Sequence, residues 1–185
     1  NVAGEIQSHS KTFLLTGGQS RAINGENPRG EKGKGGMAAS DLGPSRKGHP
    51  CWNDLQPGET AVLAEIEGPG VIQHMWFTVT DKTSDADCFV LRDLVLRIYW
   101  DGERKPSVEV PFGDFFCCGF GQACQVNSLP IAVNPTRGFN CYFPMPFRKG
   151  AKITVENQHK NPIPALFYQI DYCLQEVAEN AGYFD

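Results

Sequence analysis

The stretch that decides the fold is Leu94–Phe116, LVLRIYWDGERKPSVEVPFGDFF. In its first seven residues, large apolar side chains recur at every second position, which is typical of a strand with one buried face. The pair Asp101-Gly102 follows and favours a tight hairpin turn, because glycine tolerates positive φ and aspartate can bond its own backbone. The return strand, Ser107–Val110, has both valines on one face and Glu109 on the other. The stretch therefore predicts a buried β-hairpin that carries a carboxylate on its second face.

The chain from residue 60 onwards predicts one strand after another. Short segments rich in β-branched and aromatic side chains alternate with Gly, Pro and Asn, which is typical of antiparallel sheets. These segments are 60–66, 71–79, 94–100, 107–110, 128–133, 139–145, 151–156 and 165–173. Only Leu174–Glu179 is a candidate for a helical turn, so a fold that alternates strands and helices is excluded. We predict an all-β protein, a single antiparallel β-sandwich of jelly-roll type with about eight strands.

The first 59 residues contain fewer strand-like segments and more glycine than the rest of the chain. Residues 12–16 predict one strand or a docking arm, and residues 24–50 contain seven glycines and almost nothing apolar. Gly36 stands where a phosphate-binding loop would need lysine, so a nucleotide site is not predicted. The stretch is either a solvated loop or one that folds over a polar ligand or a neighbouring subunit. We predict one domain, in which an arm and glycine-rich loop (1–59) pack on a jelly-roll body (60–185).

Composition excludes several classes of partner. The net charge of −4 and the pI near 5.6 argue against binding to nucleic acid. No run of 18 apolar residues exists, so no membrane span is predicted. The seven cysteines form no CxxC motif, and there is no HxxxH, so we expect small buried hydrophobes rather than a metal site, and no cofactor. The compartment stays open, with a reducing interior such as the cytoplasm favoured over an oxidising one.

Carboxylates near the hairpin are the candidates for catalysis. Glycoside hydrolysis uses two carboxyl groups, roughly 5 Å apart for retention or roughly 6.5–9.5 Å for inversion. Asp101 and Glu103 are better explained as turn residues, which leaves Glu109 and Asp114 as the catalytic candidates. Each also has a structural explanation, since Glu109 can be solvated and Asp114 can cap backbone N–H groups. His74 lies inside a predicted strand and is better explained as a hydrogen-bonded strand residue than as a base.

Contacts to a ligand or a subunit are expected from polar and aromatic side chains in the loops. Trp52 follows the glycine-rich loop, where its ring could stack on a sugar. The candidates for ligand or subunit contact are Glu26, Asn27, Arg29, Lys32, Trp52, Asp114 and Phe115.

Several motifs spread over nearly the whole chain resemble one known family. They are Gly25-Glu26-Asn27 with Gly30, Lys32, Gly33, Gly35 and Gly36; Gly68–Ile72 with Trp76; Leu96–Glu103; Pro106–Pro111 with Gly113–Phe116; Tyr142–Phe147; Glu156-Asn157; and Tyr168–Tyr172. Together they resemble the domain-of-unknown-function family 2961, now largely glycoside hydrolase family 172. The resemblance implies a jelly-roll module, oligomers with sites near subunit contacts, and activity on fructosides or arabinofuranosides. It also implies that the loops 25–36 and 113–116 contribute to substrate or subunit contacts.

One departure from the family pattern matters for function. Members carry two jelly rolls in tandem, and their catalytic glutamates lie in the second, within motifs resembling GEGDE and GTEDY. Neither motif occurs in this sequence, so the resemblance assigns no catalytic residue here and matches the first half of such an enzyme.

Three interpretations of this half-enzyme follow. The leading one is a module that assembles and binds glycan without a complete hydrolytic site. The alternatives are a fragment or subunit of an active glycoside hydrolase, and a purely structural assembly protein. A lone roll would expose the flank that its tandem partner covers, so we expect a homo-oligomer, for example a trimer or hexamer.

Overall fold

Two antiparallel β-sheets form a sandwich in residues 17–36, 51–79 and 89–185, the part of the chain that the computed structural model describes. The strands are β1 (Gln19–Asn24), β2 (Trp52–Leu55), β3 (Thr60–Glu67), β4 (Gly70–Val79), β5 (Leu94–Trp100), β6 (Val108–Pro111), β7 (Val126–Asn127), β8 (Ile131–Val133), β9 (Phe139–Cys141), β10 (Met145–Phe147), β11 (Gly150–Asn157) and β12 (Ile163–Leu174). Two single-turn helices, α1 (Val90–Asp93) and α2 (Phe112–Phe115), precede β5 and follow β6.

The two sheets differ in size. In the larger one, β1, β12, β4, β9, β8 and β7 are hydrogen-bonded in that order, while β2 also pairs with β12 and β10 with β4. The smaller sheet has the order β3-β11-β5-β6. Every pairing between the described strands is antiparallel. The prediction of an all-β antiparallel sandwich is confirmed, and its jelly-roll connectivity stays a prediction.

The predicted hairpin lies inside the smaller sheet. Strand β5 pairs with β11 on one side and with β6 on the other, where Ile98 is opposite Val108. Burial alternates along β5, with Leu94, Leu96, Ile98 and Trp100 buried. The period of two in the sequence therefore identified the core face of this strand correctly.

A cluster of four buried phenylalanines joins the two sheets. Phe77 on β4 and Phe139 on β9 belong to the larger sheet, and Phe112 and Phe116 lie in and just after α2, which follows the smaller sheet. The ring centroids of Phe77 and Phe112 are 5.5 Å apart, and those of Phe112 and Phe139 are 5.3 Å apart, both edge to face. Each fully buried ring contributes about 2 kcal/mol of transfer free energy, so this cluster stabilises the sandwich strongly.

Two local predictions about helices are corrected. Most of the expected open loop Gly113–Phe116 belongs to the helical turn Phe112–Phe115, and the spacing of four places the buried rings of Phe112 and Phe116 on one face. Leu174–Glu179 is not helical: β12 continues to Leu174, and the residues after it have no regular structure until a turn at 179–180.

The eight predicted strands all occur, and short strands add to them. The predicted segment 139–145 is divided into β9 and the start of β10, and β1, β2 and β7 were not predicted. Strands β1 and β2 place part of the region before residue 60 in the larger sheet, where both pair with β12. The predicted strand at residues 12–16 and most of the loop after residue 36 lie outside the described residues.

The turn after β5 has the backbone that its sequence predicts. Asp101 has φ of 55° and Gly102 has φ of 82°, and the N–H of Glu103 donates to the carbonyl of Trp100 at 3.0 Å. Aspartate and glycine are the residues that adopt this left-handed conformation most readily. The turn is nevertheless only part of a longer connection, since strand pairing resumes at Val108.

The Asp101 carboxylate ties this turn to a second one. Its Oδ1 accepts hydrogen bonds from the backbone N–H groups of Arg148, Lys149 and Gly150 at 2.9, 2.7 and 3.1 Å, and its Oδ2 accepts one from the Tyr183 hydroxyl. Partial burial works to raise the pKa of Asp101, but the hydrogen bonds from Tyr183 and the three amides outweigh it and hold that pKa below its ordinary value. The ionised carboxylate thus joins the end of β5 to the start of β11.

We expect Asp101→Ala to lower the free energy of unfolding by about 2 kcal/mol, because three amides and a hydroxyl lose their acceptor. Asp101→Asn keeps one acceptor oxygen and the turn conformation, so it should cost less. The higher unfolding free energy of the wild type relative to Asp101→Asn is present above the pKa of Asp101 in the unfolded chain, about 3.9. It is lost as the pH falls through the lower pKa of Asp101 in the folded protein. Urea unfolding at several pH values measures this, with Glu103→Gln as the matched control in the same turn; equal effects of Asp101→Ala and Glu103→Gln would contradict it.

Candidate functional site

A broad groove beside the smaller sheet is the candidate ligand site. It has a volume of about 1180 Å³ and lies between β3, the turn after β5, the start of β11 and the loop after β1. Four cations, Arg21, Arg29, Lys149 and Lys152, and four carboxylates, Glu65, Glu67, Asp101 and Glu103, line it. The balance of charge favours a neutral polar ligand over an anionic or cationic one.

Two tyrosine rings also line the groove. Tyr99 lies on β5 beside Lys152, whose Nζ is 6.0 Å from the ring centroid and 3.7 Å from Oε1 of Glu65. Tyr172 on β12 lies under the loop, and a Cβ at Gly30 would come within 2.4 Å of its hydroxyl oxygen. Burial raises the pKa of Tyr172, so its phenol stays neutral at physiological pH. The groove therefore combines the partly exposed ring of Tyr99 with many donors and acceptors, while Tyr172 is buried beneath the loop.

The loop after β1 is built by two asparagines. Asn24 Oδ1 accepts from the backbone N–H groups of Glu26 and Asn27 at 3.1 and 3.0 Å. The buried Asn27 amide donates to the carbonyls of Ala22 and Glu31 at 3.2 and 3.0 Å, and its oxygen accepts from the Glu31 N–H at 3.0 Å. All of these bonds lie within the loop and its strand, so Asn27 acts here as a scaffold.

The other loop candidates lie at the surface. The Glu26 carboxylate accepts from the Gly36 N–H at 3.0 Å. Arg29, 81% exposed at its side chain, lies 3.5 Å from Glu31 and lines the groove. Lys32 is exposed and does not line the groove. Of the four candidates in this loop, the structure thus brings Arg29 to the groove.

The remaining contact candidates lie away from the groove. Trp52 on β2 is partly buried against the core, and Phe115 packs on Phe116 and Phe184 with centroids 4.9 and 6.2 Å apart. Asp114 forms an ion pair with Arg92 that links α2 to α1. Any ligand or subunit contact by Trp52, Asp114 or Phe115 stays a prediction.

The catalytic candidate Glu109 belongs to an ion-pair network on the outer face of the smaller sheet. Arg97 Nε donates to Glu109 Oε2 and Arg97 Nη1 donates to Glu156 Oε2, both at 2.5 Å. The hydrogen bond from Arg97, aided by one from Gln158, lowers the pKa of Glu156 against the opposing effect of burial. A general acid needs a raised pKa, so the lowered pKa of Glu156 disfavours this carboxyl group as a proton donor.

A second polar cluster lies on the outer face of the larger sheet. His74 Nδ1 is 3.0 Å from Asp171 Oδ2, and His74 Nε2 is 3.0 Å from Asn140 Oδ1. The imidazole stacks on Tyr142 with centroids 4.6 Å apart, and Gln169 donates to Asp171. The Asp171 hydrogen bond raises the pKa of His74, with burial opposing and Asn140 supporting the rise.

Sequence reasoning missed this cluster because its members are remote in sequence. Asp171 and Asn140 lie 97 and 66 residues after His74, and only the strand pairings of β4 with β12 and β9 bring them together. The only signal in the sequence was a histidine inside a strand. Both ring nitrogens have partners, which matches the expectation of a hydrogen-bonded strand residue.

No group of three or more His, Cys, Asp or Glu side chains among the described residues is placed to hold a metal ion. No helix among the same residues has the length and apolar character needed to cross a bilayer.

The two packed antiparallel sheets define a β-sandwich domain. The family model described as the GH172 first beta-sandwich domain matches residues 29–184. The chain therefore belongs to glycoside hydrolase family 172, through the first β-sandwich domain of that family. The other name, family 2961, stays a prediction. A search of curated proteins found no match.

The shared guanidinium of Arg97 should set the titration of Glu156. In Arg97→Gln we expect the pKa of Glu156 to rise, because its main stabilising hydrogen bond is lost, and the free energy of unfolding to fall by about 1 kcal/mol. In the wild type, the contribution of Glu156 to the free energy of unfolding is fully present above the pKa of Glu156 in the unfolded chain. It is lost as the pH falls through the lowered pKa of Glu156 in the folded protein. Carboxyl-carbon NMR titration and urea unfolding measure both effects. Lys152→Gln, on the same face, is the control, and an unchanged Glu156 titration in Arg97→Gln would contradict the assignment.

The His74 cluster should stabilise the fold more at acid than at alkaline pH. Because its folded pKa is raised, the contribution of His74 is fully present below its unfolded pKa of about 6.5 and is lost as the pH rises through the folded value. His74→Gln should remove this part of the pH dependence, and Asp171→Asn should reduce it. Unfolding curves across this pH range test the point, with the exposed neighbour Gln73→Ala as control. A stability difference between wild type and His74→Gln that does not change with pH would contradict it.

Proposed function

We propose that this domain is an oligomer-forming, glycan-binding member of glycoside hydrolase family 172 that lacks a complete hydrolytic site of its own. The observation that carries the proposal is that the carboxylates in and near the hairpin have partners within the protein. Glu109 is paired with Arg97, Asp114 with Arg92, and Asp101 with three turn amides. Each of these carboxylates is held through at least one oxygen by a cation or by backbone N–H groups, which favours a structural role over that of a carboxyl facing a glycosidic bond.

The groove supports the glycan part of the proposal. Membership of a glycoside hydrolase family makes a sugar the first ligand to consider, and a furanoside such as a fructose- or arabinose-containing chain is the proposed class. Its hydroxyl groups would match the balanced donors and acceptors, and its C–H face would pack on the partly exposed ring of Tyr99. Arg29 would contribute from the loop, as the sequence predicts.

Exposed apolar side chains support self-association. Phe120 is 96% exposed and Leu129 is 77% exposed, and both lie in the connection between α2 and β8. Large apolar residues at that exposure mark interaction surfaces when they cluster on one side of a protein. A closed ring of copies, for example a trimer or hexamer, would cover them.

A second candidate function is that of a subunit in an active hydrolase. The matching family model describes a first β-sandwich domain, which favours a second sandwich as the supplier of the catalytic glutamates. A purely structural assembly protein is the third possibility, and it would assemble without binding sugar.

One set of measurements separates these functions. The purified 185-residue chain should release no sugar from fructosides or arabinofuranosides, yet should bind an immobilised fructan or arabinan. Arg29→Ala and Tyr99→Phe should each weaken binding about three- to tenfold, because each removes one polar contact. Lys32→Ala, in the same loop but outside the groove, is the matched control and should bind as wild type.

Sedimentation velocity tests the assembly. Wild type should sediment as a multiple of 20.4 kDa at micromolar concentration, and Phe120→Ser with Leu129→Ser should shift it towards the monomer. Turnover that is abolished by Glu109→Gln or Asp114→Asn would overturn the proposal in favour of an active hydrolase. Assembly without any sugar binding would favour the structural protein, and a monomeric wild type would refute the oligomer.

A further inference from the structure

Two cysteine sulfurs are in contact in the loop between α2 and β7. Cys118 Sγ and Cys124 Sγ are 3.5 Å apart, although neither cysteine is part of a disulfide. The backbone fixes this approach, since the Cys124 N–H donates to Cys118 Sγ at 3.5 Å and the Cys118 thiol lies 3.8 Å from the Cys124 carbonyl oxygen. Within the part of the chain that the structure describes, no other pair of sulfurs is in hydrogen-bond contact. The backbone of this loop therefore holds the two sulfurs next to each other.

The two thiols differ in their surroundings. Cys118 is buried, and burial raises the pKa of its thiol to about 11. Cys124 is exposed and lies at a small open hollow of about 320 Å³, whose wall includes Thr136 and the cation Arg137. Since thiolates attack disulfides and access controls the rate, Cys124 is the thiol that an external reagent reaches first. Cys118 lies directly behind it.

We propose that Cys118 and Cys124 are a redox modification site that forms an intramolecular disulfide by exchange with a low-molecular-weight disulfide such as glutathione disulfide. The Cys124 thiolate attacks one sulfur of the reagent, breaks its S–S bond and releases one glutathione, which takes up the proton that Cys124 lost. Cys118 then loses its proton to water, attacks the Cys124 sulfur and displaces the second glutathione. Two protein thiols are oxidised, and one glutathione disulfide is reduced to two thiols.

The loop can accommodate the new bond. The sulfurs must approach by about 1.5 Å to reach the S–S length of about 2.05 Å. Gly119 and Gly121 lie between the cysteines; a Cβ at Gly119 would have only an ordinary contact at 3.8 Å, and Gly121 has φ of 74°. The backbone can therefore adjust at Gly119, whereas Gly121 packs closely against Phe89. The closed ring would include Phe120, so oxidation would restrain the segment that carries this exposed side chain.

The test is equilibration of the native chain with glutathione disulfide, followed by acid quenching and blocking of free thiols. The tryptic peptide 105–137 contains Cys117, Cys118 and Cys124 and no other cysteine. In wild type we expect this peptide to lose two free thiols and about 2 Da, without bound glutathione. Oxidised wild type should also melt roughly 3–6 °C higher than the reduced form, because a short loop is closed.

Single substitutions assign the partners. Cys117→Ser should still form the internal disulfide, because Cys117 does not take part. Cys124→Ser should lose both the mass change and the rise in melting temperature. Cys118→Ala should stop at the mixed disulfide and retain one glutathione on Cys124. The proposal is overturned if wild type keeps three free thiols in this peptide at excess glutathione disulfide, or if Cys118→Ala still forms the internal bond and Cys117→Ser does not.

Discussion

The structure depends on the burial of one apolar face of each sheet against the other. Phe77 and Phe139 from the larger sheet meet Phe112 and Phe116 across the interface, all four fully buried. Burial of such rings contributes about 2 kcal/mol each, whereas an exposed ion pair contributes about 0.5 kcal/mol. The sandwich is therefore held from the inside, and the charged residues on its outer faces are free to serve other purposes.

Those outer faces show why an acidic residue in a promising position need not be catalytic. Glu109 points away from the core, as the hairpin pattern predicts, but Arg97 reaches it and Glu156 together. The hydrogen bond from the Arg97 guanidinium lowers the pKa of Glu156, which opposes the raised pKa that a general acid needs. In Asp101 the same preference for the ionised form comes from backbone amides and the Tyr183 hydroxyl. The partners of Asp101 and Glu109 thus support the proposed structural role of these two carboxylates.

The sequence was informative where a residue's environment is set by its neighbours in the chain. Alternation identified the buried face of β5, and Asp101-Gly102 identified the turn, because strand pleat and turn conformation are local properties. Strands β1 and β2 were missed because QSRAIN and WNDL have no apolar alternation of their own and exist by pairing with β12. The His74 cluster was missed for the same reason, since strand pairing alone joins residues so far apart.

Motif residues that suggest a binding site can instead stabilise the backbone of the loops around it. Asn27 lies in the glycine-rich motif, yet both ends of its amide bond the backbone of its own loop and strand. Asn157 likewise bonds only backbone groups: its amide donates to the carbonyls of Leu55 on β2 and Asn161 at 2.9 and 3.1 Å, and its oxygen accepts from the His159 N–H at 2.8 Å. Buried loop backbone must find partners, and an asparagine supplies a donor and an acceptor at one point. A ligand in the groove can use only what such residues leave exposed, and Arg29 is the charged side chain that the described part of the glycine-rich loop contributes to the groove. A motif asparagine such as Asn27 therefore fixes the conformation of its loop. The side chain that reaches a ligand can be a nearby residue such as Arg29.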